Sequence, residues 1–393
     1  MTPLFRKFLG INWVIVANIV LLITFGVYAI YNAADGRPGL MGKWNQQVLW
    51  SCIGGAVFFV VALLDYKWLR WGAWPLYLMS LSGIIVVKFI GKDHGVGAKS
   101  WIDFAGISIQ PSQFAIVAGI IVLAIVFGDL QRVAPVFRYP FLRIAVGGIL
   151  AAIPMILILK EPDLGSAAVW GPMFVGMILV GSIPFRYLIV LALIAMTFLP
   201  LAYFFGLKPY QKQRIDTFIS MLTNQKVNVR EDAWVPYHLQ LAVGSAGLEG
   251  KGPLSRKVPE QHSIHRTFFP NEAINDFITG VICEEFGFRG MLLLISGLSL
   301  LIFQCIFVAF YSRDQMGRLI VVGVVGTTMT YIFMNIGMNI LLVPITGLPL
   351  PFISYGGTFM VVLLFMFGLV QSVWVHRNIS PAKKPGSREE AEA

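Results

Sequence analysis

The sequence predicts an all-α polytopic membrane protein, with about ten transmembrane helices and one long extracytoplasmic loop. Three observations predict it. The 393 residues are 57% hydrophobic and only 13% charged, whereas charged residues make up about a quarter of a soluble chain. The apolar residues gather in blocks of about 20, the length of helix that crosses about 30 Å of hydrocarbon. Basic residues collect in alternate short connections, the bias that orients membrane helices. The net charge of +10 is therefore read as a topology signal and not as a nucleic-acid footprint. No separate soluble domain is expected.

The elements follow in order. Arg6 and Lys7 precede an apolar run over 11–31 that lacks a small-residue cleavage site, so it is read as a first membrane helix and not as a removed signal. Further spans are expected at 46–64, 73–90, 110–128, 141–159, 164–181 and 185–205, then at 276–310, 316–341 and 352–375. The eighth is too long for one crossing and is expected to project beyond the bilayer. With the N-terminus inside, the short inner segments carry Arg6, Lys7, Lys67, Arg70, Arg132, Arg138, Arg143, Arg186, Arg313 and Arg318, and the tail adds Arg377, Lys383, Lys384 and Arg388. The short outer segments carry only Arg37, Lys43, Lys88, Lys92, Lys99 and Lys160. Both termini are thus expected in the cytoplasm, with the 207–275 loop outside. Within that loop, "DAWVPYHLQLAVGSAGLEGKGPL" reads as a short apolar-faced helix at the membrane followed by a glycine-rich turn. Residues 1–376 form one transmembrane domain, and the polar tail 377–393 is expected to be disordered. Cys52, Cys283 and Cys305 lie inside apolar segments, with neither a disulfide framework nor a metal spacing.

The first candidate for chemistry is Asp276, in "FFPNEAINDFITGVICEEFG". Asn271 or Asn275 is placed to cap the following helix, which puts Asp276 in its first turn, where the helix dipole favours a carboxylate. In a soluble protein such an acid usually only caps; near bilayer depth ionisable groups are costly and generally functional. Glu284 and Glu285 follow about 12 Å further along the helix, beyond the roughly 5–10 Å spacing of paired glycosidase carboxylates. Glu285 is expected to pair with Arg289 at i,i+4, and Glu284, with no such local partner, is read as facing a polar cavity. In "LKEPDLGSA", Asp163 either caps the next helix or shares an outer vestibule with Lys160, Glu161 and Asp276; the residues alone leave both open. "GSAGLEGKG" offers backbone N–H groups and Lys251, a concavity suited to phosphate, although by itself it reads first as a flexible surface turn. His262 and His265 lack a third ligand, so zinc is not expected. No HExxH, serine elbow or nucleotide-binding loop is present, so ATP hydrolysis is not expected. The irregular segment "VPITGLPLPFISYGG" must line a cavity or be packed in protein, which makes it a candidate wall for a substrate groove.

With "KSWIDFAGISIQPSQ", "KEPDLGSA", "AVGSAGLEGKG" and "NDFITGVICEEFG", this segment resembles, in order and over about residues 11–376, the SEDS family (shape, elongation, division and sporulation). "GLPLPFISYGG" is more similar to the RodA branch than to the FtsW branch. The resemblance implies a peptidoglycan glycosyltransferase of the cytoplasmic (inner) membrane. Such a protein polymerises lipid II on the outer face and releases undecaprenyl diphosphate. It works during elongation and cell-shape maintenance beside a class B penicillin-binding transpeptidase, the elongation machinery and membrane lipid, and without nucleic acid. Asp276 matches the family's essential acid, and a divalent cation, Mg or Mn, is an admissible companion to it. Lys99, Trp101, Asp163, Lys251, Glu284 and Tyr355 stand in the matching motifs as implied substrate-binding residues. The chemistry fits: a carboxylate takes the proton of the attacking sugar hydroxyl, while the diphosphate leaving group needs positive charge more than a proton, from Lys251, Lys99, Arg266 or a bound cation.

Two departures stand out. The family's "PSExxK" has an acid and a lysine where this chain has Gln113 and Ile116, a joint loss that avoids stranding one buried charge. The family's "LPExHTDF" becomes "FPNEAINDF", one residue longer, with Ile274 and Asn275 before the acid. Two other functions compete. A flippase would need charges along a path to both faces, whereas the polar candidates gather on one side. A scaffold would have no use for an acid in a polar vestibule.

Overall fold

The computed structural model describes residues 3–34, 39–93, 99–104, 107–161, 163–223, 228–229, 233–252, 263–264 and 273–377. A short helix α1 (Pro3–Leu9) leads into α2 (Trp13–Ala34), α3 (Lys43–Leu63) and α4 (Leu69–Ile90). Three short strands, β1 (Lys92–Asp93), β2 (Lys99–Phe104) and β3 (Ile107–Ile109), form an antiparallel sheet in that order. Then come α5 (Pro111–Gly128), α6 (Pro140–Lys160), α7 (Leu164–Val180) and α8 (Phe185–Leu201). Within the long loop lie α9 (Pro209–Leu222) and α10 (Trp234–Ser245), and α11 (Ile278–Phe310), α12 (Gln315–Asn339) and α13 (Gly357–Val375) complete the chain. Eight of these helices are long and apolar enough to cross a membrane; α7 and α8 are shorter apolar helices standing where two more spans are expected. The sheet and α9 are additions to the all-helical reading of the sequence, and the tail beyond 377 lies outside the described residues.

Packing order follows from composition. Helix α5 is apolar all round, as a helix surrounded by protein must be, and nearly every residue of it is buried. It packs against α4, α6, α7 and α12. Its neighbours come close where side chains are small: a Cβ on Gly119 would meet the Trp170 ring at 2.4 Å. Helices α3 and α13 make the most extensive pair, and there Gly54 and Gly368 let the backbones approach. Helix α8 has mostly exposed, apolar residues and sits at the periphery.

One end of the bundle carries α1, the start of α2 and the end of α13. There Asn12 and Gln371 exchange two hydrogen bonds, at 3.0 and 2.9 Å. Tyr66 donates to Asp314 at 2.8 Å, and Arg70 pairs with Asp129 at 2.7 Å. The opposite end carries the sheet, the α6–α7 turn, the α10 region, the start of α11 and the 340–356 segment.

The overlong eighth span is a broken helix. Gly287 has φ 63° and ψ −163°, a conformation open to glycine. Before it, residues 278–285 are all buried; after it, buried and exposed residues alternate with helical period. The break frees the Glu284 and Glu285 carbonyls, which accept from Lys251 N–H (2.8 Å) and Gly252 N–H (3.0 Å). The freed N–H groups of Phe288 and Arg289 donate to the Gly247 and Leu248 carbonyls. The glycine-rich turn is therefore the partner of the kink, which satisfies the backbone groups that a buried break would orphan.

Candidate active site

Asp276 lies two residues before α11 begins, in a turn over 273–277, and not in the first turn of the helix. Phe277 occupies the N-cap position, and no side chain caps the helix there. Three successive carbonyls fix the turn instead. Ile274 O accepts from Tyr355 N–H at 2.8 Å, Asn275 O from the Ser354 hydroxyl at 2.7 Å, and Asp276 O from Asn335 Nδ2 at 2.9 Å and Asn339 Nδ2 at 3.4 Å. Asn335 and Asn339 are fully buried and one turn apart on α12. Asn335 Nδ2 also donates to Leu348 O at 2.7 Å, and Asn339 Oδ1 accepts from Gly280 N–H at 3.1 Å. The pair thus binds the acid's turn, the start of α11 and the 343–356 segment to one another. That segment is anchored again by Gln47, which donates to Ser354 O at 3.1 Å and accepts from Gly356 N–H at 3.2 Å.

The half-buried Asp276 side chain turns toward this segment. A Cβ built on Gly347, whose φ is +71°, would lie 3.2 Å from Asp276 Oδ2. The neighbouring Thr346 carbonyl packs over Gly165, where a Cβ would meet it at 2.7 Å. Gly165 follows Asp163 by two residues, so the "KEPDLGSA" turn and Asp276 flank the same stretch of chain. Asp163 caps α7, with Oδ1 accepting from Ser166 N–H at 2.9 Å and Oδ2 from Gln110 Nε2 at 2.9 Å. Gln110 Oε1 in turn accepts from Gln113 Nε2 at 2.9 Å. Asp163 therefore caps a helix, and its turn packs against the segment that Asp276 faces. Burial raises the Asp163 carboxyl pKa, against hydrogen bonds from Ser166 and Gln110 and the charge of Arg214, which lower it. The Glu161 carboxyl is pushed up to about 8, by burial first and by Asp163 second.

Tyr355 meets the site through its backbone; its hydroxyl donates to Gln46 at 2.6 Å, and Lys43 Nζ sits 5.2 Å from its ring centre. Trp101 is half-buried on β2, opposite Lys92 in the sheet register. Lys99 begins β2, and its side chain lies outside the described residues, as do His262, His265 and Arg266.

Three expectations are corrected. The Glu285–Arg289 pair does not form, because the kink at Gly287 falls between them; Arg289 reaches Glu249 at 2.8 Å. The "GSAGLEGKG" turn, read first as a flexible surface turn, is docked on the kink, with the N–H groups of Gly250, Lys251 and Gly252 going to the Ala246, Glu284 and Glu285 carbonyls. Lys251 is not an exposed cation: its Nζ lies 2.7 Å from Oε1 of the fully buried Glu284, which also accepts from Ile264 N–H at 2.9 Å. Sequence reasoning missed Asn335, Asn339 and Arg214. Two asparagines four apart in an apolar span were the available signal.

Among the described residues, no three His, Cys, Asp or Glu side chains cluster to hold a metal.

Fold and site together define an integral-membrane protein of about ten apolar helices, with an acid whose turn is held by hydrogen bonds at the end opposite the start of α2. The chain belongs to the FtsW/RodA/SpoVE family of cell cycle proteins, whose signature matches residues 10–379. It is 27% identical over 368 residues to the peptidoglycan glycosyltransferase MrdB of Escherichia coli, covering 91% of this chain and 92% of that one. It is 31% identical over 382 residues to a probable peptidoglycan glycosyltransferase FtsW of Geobacter metallireducens, covering 94% and 96%. Its fold is similar to the rod shape determining protein RodA of Thermus thermophilus, with a TM-score of 0.66, 23% identity and coverage of 94% and 98%. A chain from a peptidoglycan synthase complex that coordinates polymerization and crosslinking is similar with a TM-score of 0.74 and 23% identity, covering 94% and 99%.

Proposed function

We infer that this chain is a peptidoglycan glycosyltransferase of the RodA type, which polymerises lipid II with Asp276 as its general base. The observation that carries the base assignment is the fixing of three successive carbonyls, at residues 274, 275 and 276. Such a rigid mount places a carboxylate before substrate arrives, the preorganisation catalysis needs. In the reaction, the acceptor's sugar hydroxyl attacks the anomeric carbon of a lipid-linked sugar. Asp276 takes the hydroxyl proton, and the bond to the lipid diphosphate breaks with its electron pair. A divalent cation held by Asp276 and the diphosphate would supply further positive charge. Among the short connections, basic residues favour the end at which α2 starts and α13 finishes, which supports a cytoplasmic location for that end and an outer face for the site. A class B penicillin-binding transpeptidase is the proposed partner.

The test is polymerisation of labelled lipid II by the purified protein with its partner, in the parent and in Asp276→Asn. Asparagine keeps size and removes basicity, and loss of a general base typically costs about 100- to 10,000-fold. Near-normal glycan synthesis by the variant at an unchanged melting temperature ends the base assignment. Lipid movement without glycan strands would instead make the protein a flippase.

A further inference from the structure

A glycosyl transfer that expels a diphosphate needs positive charge where the leaving group's charge develops. Lys251, one candidate from the motifs, is bound to the buried Glu284. Arg214 on α9 belongs to none of those motifs, yet it reaches the site. Its Nη1 donates to the Ile345 carbonyl at 3.4 Å, a long bond. Its guanidinium lies 5.9 Å from the Tyr210 ring centre. Among the described residues, no carboxylate lies within 4.0 Å of it. Three successive residues of one segment now carry three contacts: Ile345 takes Arg214, Thr346 covers Gly165, and Gly347 meets Asp276. Two residues of chain span at most about 7 Å, so the guanidinium and the carboxylate contact neighbouring parts of one segment. Arg214 also borders a small, mostly apolar cleft with Phe218, Pro236, Leu341 and Pro344.

We propose that Arg214 is the cation that receives the diphosphate of the lipid-linked sugar, with the first prenyl units in the adjoining cleft. This rests on the polymerase reading above and deepens it. As the acceptor oxygen bonds to the anomeric carbon, the bond from that carbon to the diphosphate oxygen breaks and its electron pair stays on the diphosphate. The proton goes to Asp276, and Arg214 keeps its own proton throughout. An arginine suits the task because its planar fork of donors matches phosphate oxygens two at a time.

The experiment uses the full chain in phosphatidylcholine nanodiscs, with farnesyl diphosphate and farnesyl monophosphate as probes, for the parent, Arg214→Gln and Arg214→Lys. The parent is expected to prefer the diphosphate. Arg214→Gln should lose about tenfold to a hundredfold of its diphosphate affinity, as expected for a charge-assisted hydrogen bond, with little change for the monophosphate. Arg214→Lys should lose severalfold, and it decides the matter if the Gln variant melts early. Unchanged diphosphate affinity in the folded variants overturns the proposal. So does displacement of the probe by phosphatidylglycerol in the nanodisc, which would mark a general site for anionic lipid. Lipid II polymerisation with the partner separates the two readings. Normal glycan synthesis by Arg214→Gln overturns the role of Arg214 and leaves the polymerase standing. Arg214-dependent probe binding in a parent that makes no glycan overturns the polymerase and keeps the diphosphate site.

Discussion

Replacing Gly347 with alanine should disable the protein more than it unfolds it. The residue has φ +71°, a left-handed conformation that costs a non-glycine residue about 1–2 kcal/mol. The added Cβ would also stand 3.2 Å from Asp276 Oδ2, tighter than ordinary van der Waals contact. The turn cannot yield, because the carbonyls of residues 274, 275 and 276 are all fixed, so the carboxylate itself must move by a few tenths of an ångström. A misplacement of about 1 Å can cost about 100-fold in rate, and a shift of this size should cost roughly tenfold on the same scale. The assay is lipid II polymerisation beside thermal melting, for Gly347→Ala and Gly347→Asn. Asparagine tolerates the left-handed region better but carries the same Cβ. It should therefore recover part of the stability without recovering the activity. Full activity in Gly347→Ala would refute the claim that this contact positions Asp276, and equal recovery of both properties by asparagine would reduce the effect to backbone strain.

Other predictions follow from the same geometry. Lys251→Ala should destabilise the fold by about 3–5 kcal/mol, because it removes the partner of a buried acid, and adding Glu284→Gln should recover much of this in a melting comparison. If the single variant melts like the parent, the buried pair is not structural. The Glu161 carboxyl, at about 8 in the fold against about 4.3 in an unfolded chain, binds its proton more tightly when folded. Its contribution to stability is therefore complete below about pH 4.3 and is lost as pH rises through about 8. Glu161→Gln should flatten the decline in melting temperature between pH 6 and 8.5, and an unchanged decline would place its cause elsewhere. Asn335→Ala removes donors to both Asp276 O and Leu348 O and should lower polymerisation more than partner binding; a proportional loss of both would point to general unfolding.

How much was legible in the sequence follows from the range of each interaction. The spans were legible because a bilayer imposes a length and an apolar composition on each segment separately. The break at Gly287 was not, because "EEFGFRG" reads locally as continuous helix and the cause lies in the docking of residues 247–252. The same break removed the expected Glu285–Arg289 pair. Asp276 stood out as an acid at the mouth of an apolar segment, whereas Asn335 and Asn339, its supports, are about sixty positions away with no local motif to mark them. The docking of the glycine-rich turn was hidden for a related reason: backbone donors that look free in a sequence have partners in a distant helix. Arg214 was hidden inside a loop read only for its α10 region, and the short strands at 92–109 were read as part of a connection.

The supports of the Asp276 turn and of the segment facing it are amides and hydroxyls. Asn335, Asn339, Ser354 and Gln47 fix its turn and the segment facing it, and Gln110 and Gln113 form a relay to Asp163. Neutral donors hold geometry without cancelling charge. Gln113 and Ile116 fit this pattern. Where the family signature has an acid and a lysine, this chain keeps the polar contact to Gln110 and fills the other position with a buried alkyl group. The relay then holds Asp163 with a neutral chain and needs no balancing cation within α5. Gln113→Leu tests the step: it breaks the relay without adding charge, so polymerisation should fall severalfold while the melting temperature changes little, because an apolar side chain suits a buried helix position. A variant as active as the parent would show that Gln110 alone is enough to orient Asp163.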